Sequence, residues 1–349
     1  MNVRIEQSDD LSVFQTLGKV VFANDPLHIP APPKPRFPTG STGFVAYENQ
    51  HAVACCRAQL QTDNPSIGTI GYFQALEKPE AVRRLLIVVS QWLKKQGYQR
   101  IIGPMDGDTW HAYRFNTGAY DAPPFIKEPW NPPYYPALWE NAGFSVAETY
   151  DSYIIDDPAL AADNQKKFHQ RCVKNGYTFE PITAQNYSET LPLIHDLSCQ
   201  IFTENTLYTP IQLDEFMRMY MPAKSLLATG LSWMAYTPDK TPAGYIFTFP
   251  DYADALRAMN GKNNLPAKIR FLLKKRNARR TCIKTLGTIP EKRGSGLTAA
   301  LTYLSFKNSV ELGYSQTLMC LMHSSNDSRR FGGNADRPFR SYALYEFVK

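Results

Sequence analysis

Apolar residues recur along this chain with two periods, and the changes of period come in the same order twice. Residues 69–75 read as a strand. Glu77, Lys78, Pro79 and Glu80 then interrupt the apolar pattern. From Val82 onward, Leu85, Leu86, Val89 and Leu93 fall at steps of three and four, one face of a helix. Pro79 suits the first turn of that helix, where its missing N–H needs no partner. Gly97 supplies a left-handed end to the helix. Tyr98 follows, and 100–102 reads as a strand.

The second half repeats the plan. Residues 282–289 read as a strand, 290–296 as a turn, and Leu297, Ala300, Leu301 and Leu304 as one helical face. Gly313 ends this helix, Tyr314 follows, and 317–322 is the next strand. Strand, turn, helix, Gly-Tyr, strand, occurring twice, predicts an internal duplication of one α/β unit. The boundary is expected at 156–158, giving domains 1–157 and 158–349. Residues 162–174 read as a linker helix and 177–182 as the first strand of the second unit. The two domains are expected to share or exchange a terminal strand, with 152–155 as the candidate. The proline-rich stretches 30–38 and 123–136 read as ordered surface loops.

At 349 residues the chain has room for two cores. Its 43% hydrophobic and 20% charged residues exclude a disordered chain. The net charge of +6 favours an anionic ligand but is too small to argue for nucleic acid. The six cysteines form no C-x-x-C pair, so no metal is expected, and they read as reduced thiols. The first ten residues, MNVRIEQSDD, lack the apolar core of a signal peptide. The aliphatic run 85–89 is far short of the roughly 20 residues a membrane span needs. A cytoplasmic protein with no membrane partner is the expectation.

The turn 288–297 (TIPEKRGSGL) joins a strand to an amphipathic helix. A glycine-rich turn at a helix start aims several N–H groups at one point, and the helix dipole adds positive potential there. Gly294 and Gly296 let an anion approach the backbone, while Lys292 and Arg293 add charge. A pyrophosphate is the natural ligand. No G-x-x-x-x-G-K-[ST] or G-x-G-x-x-G pattern is present here, which argues against a P-loop or a dinucleotide site.

The run Pro290-x-x-Arg293-Gly294-x-Gly296-Leu297 resembles the acetyl-CoA signature of the GNAT acetyltransferases, [Q/R]-x-x-G-x-[G/A]. Arg293 takes its first position and Gly296 its fourth, and Thr298 stands where Gly or Ala is usual. The segment from Asn131 through Leu138 and Trp139 to Gly143 and Phe144 resembles another helix of the same family. The resemblance implies an α/β fold with a mixed sheet. Two tandem GNAT-like domains would each have a central, mostly antiparallel sheet flanked by helices. It further implies that the pantetheine arm of acetyl-CoA, or of another acyl-CoA, pairs with the strand ending in Leu286, Gly287 and Thr288. The diphosphate would lie on Arg293, Gly294, Ser295, Gly296, Leu297 and Thr298, and Asn326 matches a residue that follows the next strand. The first half has no such turn. Two carboxylates and Pro79 at its helix start disfavour a pyrophosphate, so the N-terminal copy is expected to be degenerate.

The implied activity is direct N-acyl transfer to an amine of a small molecule, an amino acid or a peptide. The family often carries a basic Glu on the cofactor strand, and 282–289 has no acid. Glu204, Tyr208 and Tyr345 are the candidate catalytic residues, with His323, Ser324 and Tyr342 as further candidates and Cys320 as a less favoured nucleophile. The run 268–280 (KIRFLLKKRNARR) holds seven Lys or Arg residues. It reads as a solvated helix face, a clamp on the cofactor's 3′-phosphate, or a contact to an acidic acceptor or RNA. Asp106, Asp108 and His111 match no standard metal spacing and read as lining an acceptor cleft. Two alternatives stay open: a Fem-type transferase using aminoacyl-tRNA, and a non-catalytic acyl-CoA-binding protein.

Overall fold

The computed structural model describes residues 2–30, 37, 39–60, 66–205, 207–326 and 336–348. Most of the proline segment 30–38 therefore lies outside the described residues, as does Thr206. In chain order the first elements are β1 (Val3–Gln7), α1 (Leu11–Val21), β2 (Ser41–Glu48), β3 (His51–Leu60), β4 (Ile67–Ala75), α2 (Pro79–Lys95), β5 (Arg100–Gly103), β6 (Phe115–Asn116), α3 (Tyr135–Asn141) and β7 (Phe144–Ile155). There follow α4 (Pro158–Lys174), β8 (Thr178–Pro181), α5 (Tyr187–Ile201), α6 (Leu213–Tyr220), β9 (Trp233–Tyr236) and β10 (Pro242–Pro250). The last are α7 (Ala253–Met259), α8 (Leu265–Lys274), β11 (Arg280–Thr288), α9 (Leu297–Glu311), β12 (Gln316–His323) and β13 (Asp336–Phe347).

The chain divides into two compact units. The first comprises Met1–Tyr150, Leu256–Ile269 and Arg340–Lys349, and the second Asp151–Ala255 and Arg270–Phe339. Strand β7 is thus divided after Tyr150, and the C-terminal residues belong to the first unit.

In the first unit, β1 to β4 pair antiparallel in order, β5 joins β4 in parallel, and β13 joins β5 antiparallel, Tyr345 opposite Gly103. Pro79 occupies the first turn of α2, which buries Val82, Leu85, Leu86, Val89 and Leu93, the face read from the sequence. Those side chains pack with Phe73, Phe115, Tyr135, Trp139 and Tyr345. At roughly 1.5–3 kcal/mol for each fully buried large side chain, this core is the main support of the unit.

In the second unit the strand order is β12-β11-β10-β9-β8, with β11 and β12 parallel and the other pairs antiparallel. The Leu321 amide on β12 donates to the Ser152 hydroxyl at 3.0 Å. Helix α9 is buried on more than one side, packing on α4 as well as on the sheet. Its inward hydroxyls are paired: Ser305 with Thr248 at 2.9 Å and Ser309 with Thr281 at 3.2 Å. Buried hydroxyls without such partners would be costly.

Three helices end alike. After α2, the Gly97 amide donates to the Lys94 carbonyl and Tyr98 to Leu93; after α9, Gly313 donates to Val310 and Tyr314 to Ser309. The Gly176-Tyr177 pair after α4 repeats the pattern. Each is a Schellman motif, and each glycine has positive φ.

Candidate functional site

Strand β11 begins as an ordinary parallel neighbour of β12, from Arg280 opposite Gln316 to Ile283 opposite Met319. There the register ends. At the same place β11 carries an extra residue relative to β10, since Phe247 faces Thr285 and Thr248 faces Ile283, leaving Lys284 as the bulge. An inserted residue bends its strand and raises the local twist. On β12, Leu321 adopts φ 58°, a second irregularity beside the first. The two strands therefore fork beyond Ile283 and Met319.

Downstream of the fork, Leu286 is half-buried and Gly287 and Thr288 are buried. A Cβ on Gly287 would fall 2.6 Å from Ile201 Cγ2, so α5 packs tightly on this end of the strand. Residues 290–292 form a short 3-10 turn. Gly294 has φ 75° and Gly296 φ 87°, values a side chain disfavours. Gly296 is the N-cap of α9, whose first residue, Leu297, is buried in the core shared with α4. The Leu297 amide reaches the Ser295 hydroxyl at 3.3 Å, and that hydroxyl donates to the Lys292 carbonyl at 2.6 Å. The Thr298 hydroxyl lies 3.3 Å from that of Thr288. Among the described residues the amides of Gly294, Gly296, Thr298 and Ala299 donate to no protein acceptor. Four unpaired amides around a helix N-terminus form an anion-binding concavity.

Side chains frame this turn. Arg171 on α4 donates to the Ser295 carbonyl at 2.7 Å. Arg293 donates to the Glu204 carboxylate and, at 3.2 Å, to the Ile201 carbonyl. Both members of the Arg293–Glu204 pair are open to solvent, at 47% and 68%. An ion pair so exposed is worth about 0–1 kcal/mol and opens easily.

The matching region of the first unit is built differently. There β4 and β5 also stop pairing at Thr69 opposite Ile102, and the bulge is again on the strand before the helix, at Tyr72 with φ 50°. The chain itself then takes the edge of β4. The Met105 amide donates to the Ile70 carbonyl at 2.9 Å, and the Tyr72 amide to the Asp106 carboxylate at 2.6 Å. A Cβ on Gly71 would lie 2.2 Å from the Met105 carbonyl oxygen.

No protein-family model matches the chain. Protein YghO of Escherichia coli (strain K12) is 22% identical over 293 residues, which is 80% of this chain and 73% of that protein. Among solved structures, a tandem GNAT protein from the clavulanic acid biosynthesis pathway matches with a TM-score of 0.53. Its identity is 12%, and the match covers 99% of this chain and 98% of that one. This is a tandem GNAT fold. A GCN5-related glucosamine N-acetyltransferase region of a fungal multi-domain GH3 β-N-acetylglucosaminidase matches with a TM-score of 0.54 at 15% identity. The match covers 99% of this chain, which spans 38% of that protein. A probable N-acyltransferase from Enterococcus faecalis V583 matches with a TM-score of 0.53 at 9% identity, covering 99% of this chain and 72% of that one.

Within this fold the remaining sequence candidates are scattered. Tyr208 is half-buried beside Cys199, and burial with that neighbouring thiol pushes its hydroxyl well up, so it stays a neutral donor. Glu204 sits with Arg293 at the turn, about 17 Å of strand away from the fork. Asn326 lies past the end of β12, its amide donating to the His323 carbonyl at 2.9 Å. The His323 ring is 2.7 Å from the Ser325 hydroxyl, and the Ser324 hydroxyl is 3.5 Å from Asp151. Cys320 is buried. Tyr345 belongs to the first unit, where it is 1% exposed and its hydroxyl reaches Glu140 at 3.4 Å. Tyr342 is buried there too and donates to Glu128. Asp106 is held by Tyr72, and Asp108 lies 2.8 Å from the His111 ring.

Sequence reasoning missed several neighbours of the site. The helix pair His195 and Cys199 sits 3.7 Å apart, with Asp196 2.9 Å from the ring. Their four-residue spacing on α5 was the available signal. The buried Ser198–Tyr245 contact of 2.7 Å joins α5 to β10 and left no trace in local sequence.

Proposed function

We propose that this chain is an acyl-CoA-dependent N-acyltransferase, with acetyl-CoA the first donor to test, acting on an amine of a small molecule, an amino acid or a peptide. The observation that carries this reading is the set of four unpaired amides at Gly294, Gly296, Thr298 and Ala299, next to a strand that has parted from its parallel neighbour. The amides suit a diphosphate. The edge of β11 beyond Ile283 suits an extended amide-bearing arm, by the hydrogen bonding that adds a strand to a sheet. A donor lying this way has its thioester at the fork and its diphosphate at the turn.

Acyl transfer forms an amide bond and breaks the thioester, and the proton lost by the amine ends on the thiol of CoA. Tyr208, held neutral, is the proposed donor to the departing sulfur. Glu204 is assigned to the diphosphate end, as the residue that holds Arg293 until the donor arrives. Leu286, Gly287 and Thr288 border the arm, Ser295 and Leu297 shape the turn, and Asn326 lies after the neighbouring strand. The first unit holds no donor in this reading, because its own residues Met105 and Asp106 occupy the strand edge.

The test is calorimetric titration of acetyl-CoA into the wild type and Gly294→Asp. A Cβ at Gly294 meets nothing within 4 Å, and Asp tolerates positive φ better than most residues, so the variant adds a carboxylate without crowding. Micromolar binding by the wild type, weakened at least about tenfold by the aspartate, is expected. A wild type that binds no acyl-CoA overturns the reading, and equal binding by both moves the donor off this turn.

A further inference from the structure

Helix α8 (Leu265–Lys274) presents its apolar side to solvent. Leu265 is 71% exposed, Ile269 48%, Leu272 52% and Leu273 67%. At about 100° per residue these four fall within roughly 100° of one another on the helix circumference. Ala267, which is fully buried, and half-buried Phe271, which packs on Tyr252, lie on the opposite side. An ordinary surface helix turns its aliphatic stripe inward. Here the inward side carries an alanine and one phenylalanine, and four large aliphatics face water. Single exposed aliphatics are unremarkable, but a contiguous outward stripe marks an interaction surface.

The charge around the stripe is of one sign. Lys268 and Arg270 flank it along the helix, and Lys274, Lys275, Arg276 and Arg279 follow at its C-terminal end. Among the described residues none of these six makes an ion pair; the seventh cation of the run, Arg280, is held by Asp251 at 2.7 Å. No acid interrupts 265–280. Cations at a helix C-terminus complement its dipole, but that leaves the outward aliphatics unexplained. A second copy of the chain would bring two like-charged faces together. Nucleic acid would use the cations and leave the four aliphatics in water. An anionic bilayer surface uses both, taking aliphatics into the boundary of headgroup and acyl chain while lysine and arginine stems reach back to the phosphates.

We propose that α8 is an interfacial anchor that docks the protein on an anionic lipid surface, its four outward aliphatics entering the headgroup layer. No helix of the described residues is long and apolar enough to cross a membrane, so the contact is peripheral.

The test is co-sedimentation of the full chain with vesicles of equal parts phosphatidylcholine and phosphatidylglycerol, against vesicles of phosphatidylcholine alone. Wild type is expected to bind the mixed vesicles at low salt and to be released by added salt. Leu272→Ser with Leu273→Ser, and separately Lys268→Glu with Lys274→Glu, should each weaken partitioning at least about tenfold. All four positions are exposed, so an unchanged circular dichroism melt is expected and separates lost binding from lost folding. In Leu273→Trp, indole emission should shift to the blue on the mixed vesicles. Failure of the wild type to bind them, or binding indifferent to the double variants, overturns the proposal. So does a wild type that ignores vesicles and shifts tRNA in a gel.

Discussion

Arg293 and Glu204 show how little of a site's state is written in local sequence. The arginine was legible, because a cation beside Gly294 and Gly296 at a helix start has a physical purpose. Its partner was not, since Glu204 lies on a loop 89 positions away, just past the α5 end that packs on Gly287. Read alone, Glu204 resembled a catalytic base; in the structure it pairs with Arg293, and the proposed function makes it a counter-charge. If it holds the place of a diphosphate, Glu204→Gln should raise acetyl-CoA affinity by about two- to fivefold, the range an exposed pair allows. Calorimetry of Glu204→Gln beside the wild type reads this directly, and unchanged affinity would remove Glu204 from the site. Tyr345 and Tyr342 illustrate the converse. Their place late in the chain suggested the second unit, but pairing with β5 and β6 puts them in the first.

At the scale of elements, the repeated α/β unit was legible because its punctuation is chemical. Pro79 opens a helix, Gly97 and Gly313 close two, and the three- and four-residue steps between them mark buried faces. The forks were not legible. A bulge is a property of register between two strands, so neither Lys284 nor Tyr72 carries a local sign of it. The outward stripe of α8 is intermediate: amphipathicity could be read, but which side meets the body could not. The shared helix endings make a clean stability test. A Cβ at Gly97 or at Gly313 meets nothing within 4 Å, so alanine there costs only the strain of positive φ. Each substitution should lower stability by about 1 kcal/mol in urea denaturation, and the two costs should be alike. At Gly176 the added methyl meets Pro238 at 3.2 Å, and the loss there should be larger.

For the whole molecule, the division into two units differs from a simple cut of the sequence. Residues Arg340–Lys349 return to the first unit and are fastened by a buried network. The Arg340 guanidinium donates to Glu128 at 2.7 Å, to the Ala122 carbonyl at 2.6 Å and to the Ala119 carbonyl at 2.8 Å, and Tyr342 donates to the same Glu128. The Arg340 and Glu128 side chains are fully shielded from solvent. Glu128→Gln keeps a carbonyl acceptor but removes the carboxylate charge, leaving the buried guanidinium without its counter-ion. The expected cost is about 3–5 kcal/mol, seen as a lowered urea midpoint. A loss within about 0.5 kcal/mol would mean the network is not what holds the strand.

That return of the chain also sets an order of events during synthesis. The residues that complete the first sheet are made about 190 positions after Tyr150, so at roughly 5–20 residues per second the ribosome needs about 10–40 s to supply them. Through that interval the edge of β5 that β13 will cover stands open. Most of the second unit, by contrast, has every strand of its own sheet in hand before the last ten residues appear. The half of the protein translated first is therefore the half that finishes folding last, and it is the one that would depend on a chaperone to shield an uncovered strand in the meantime.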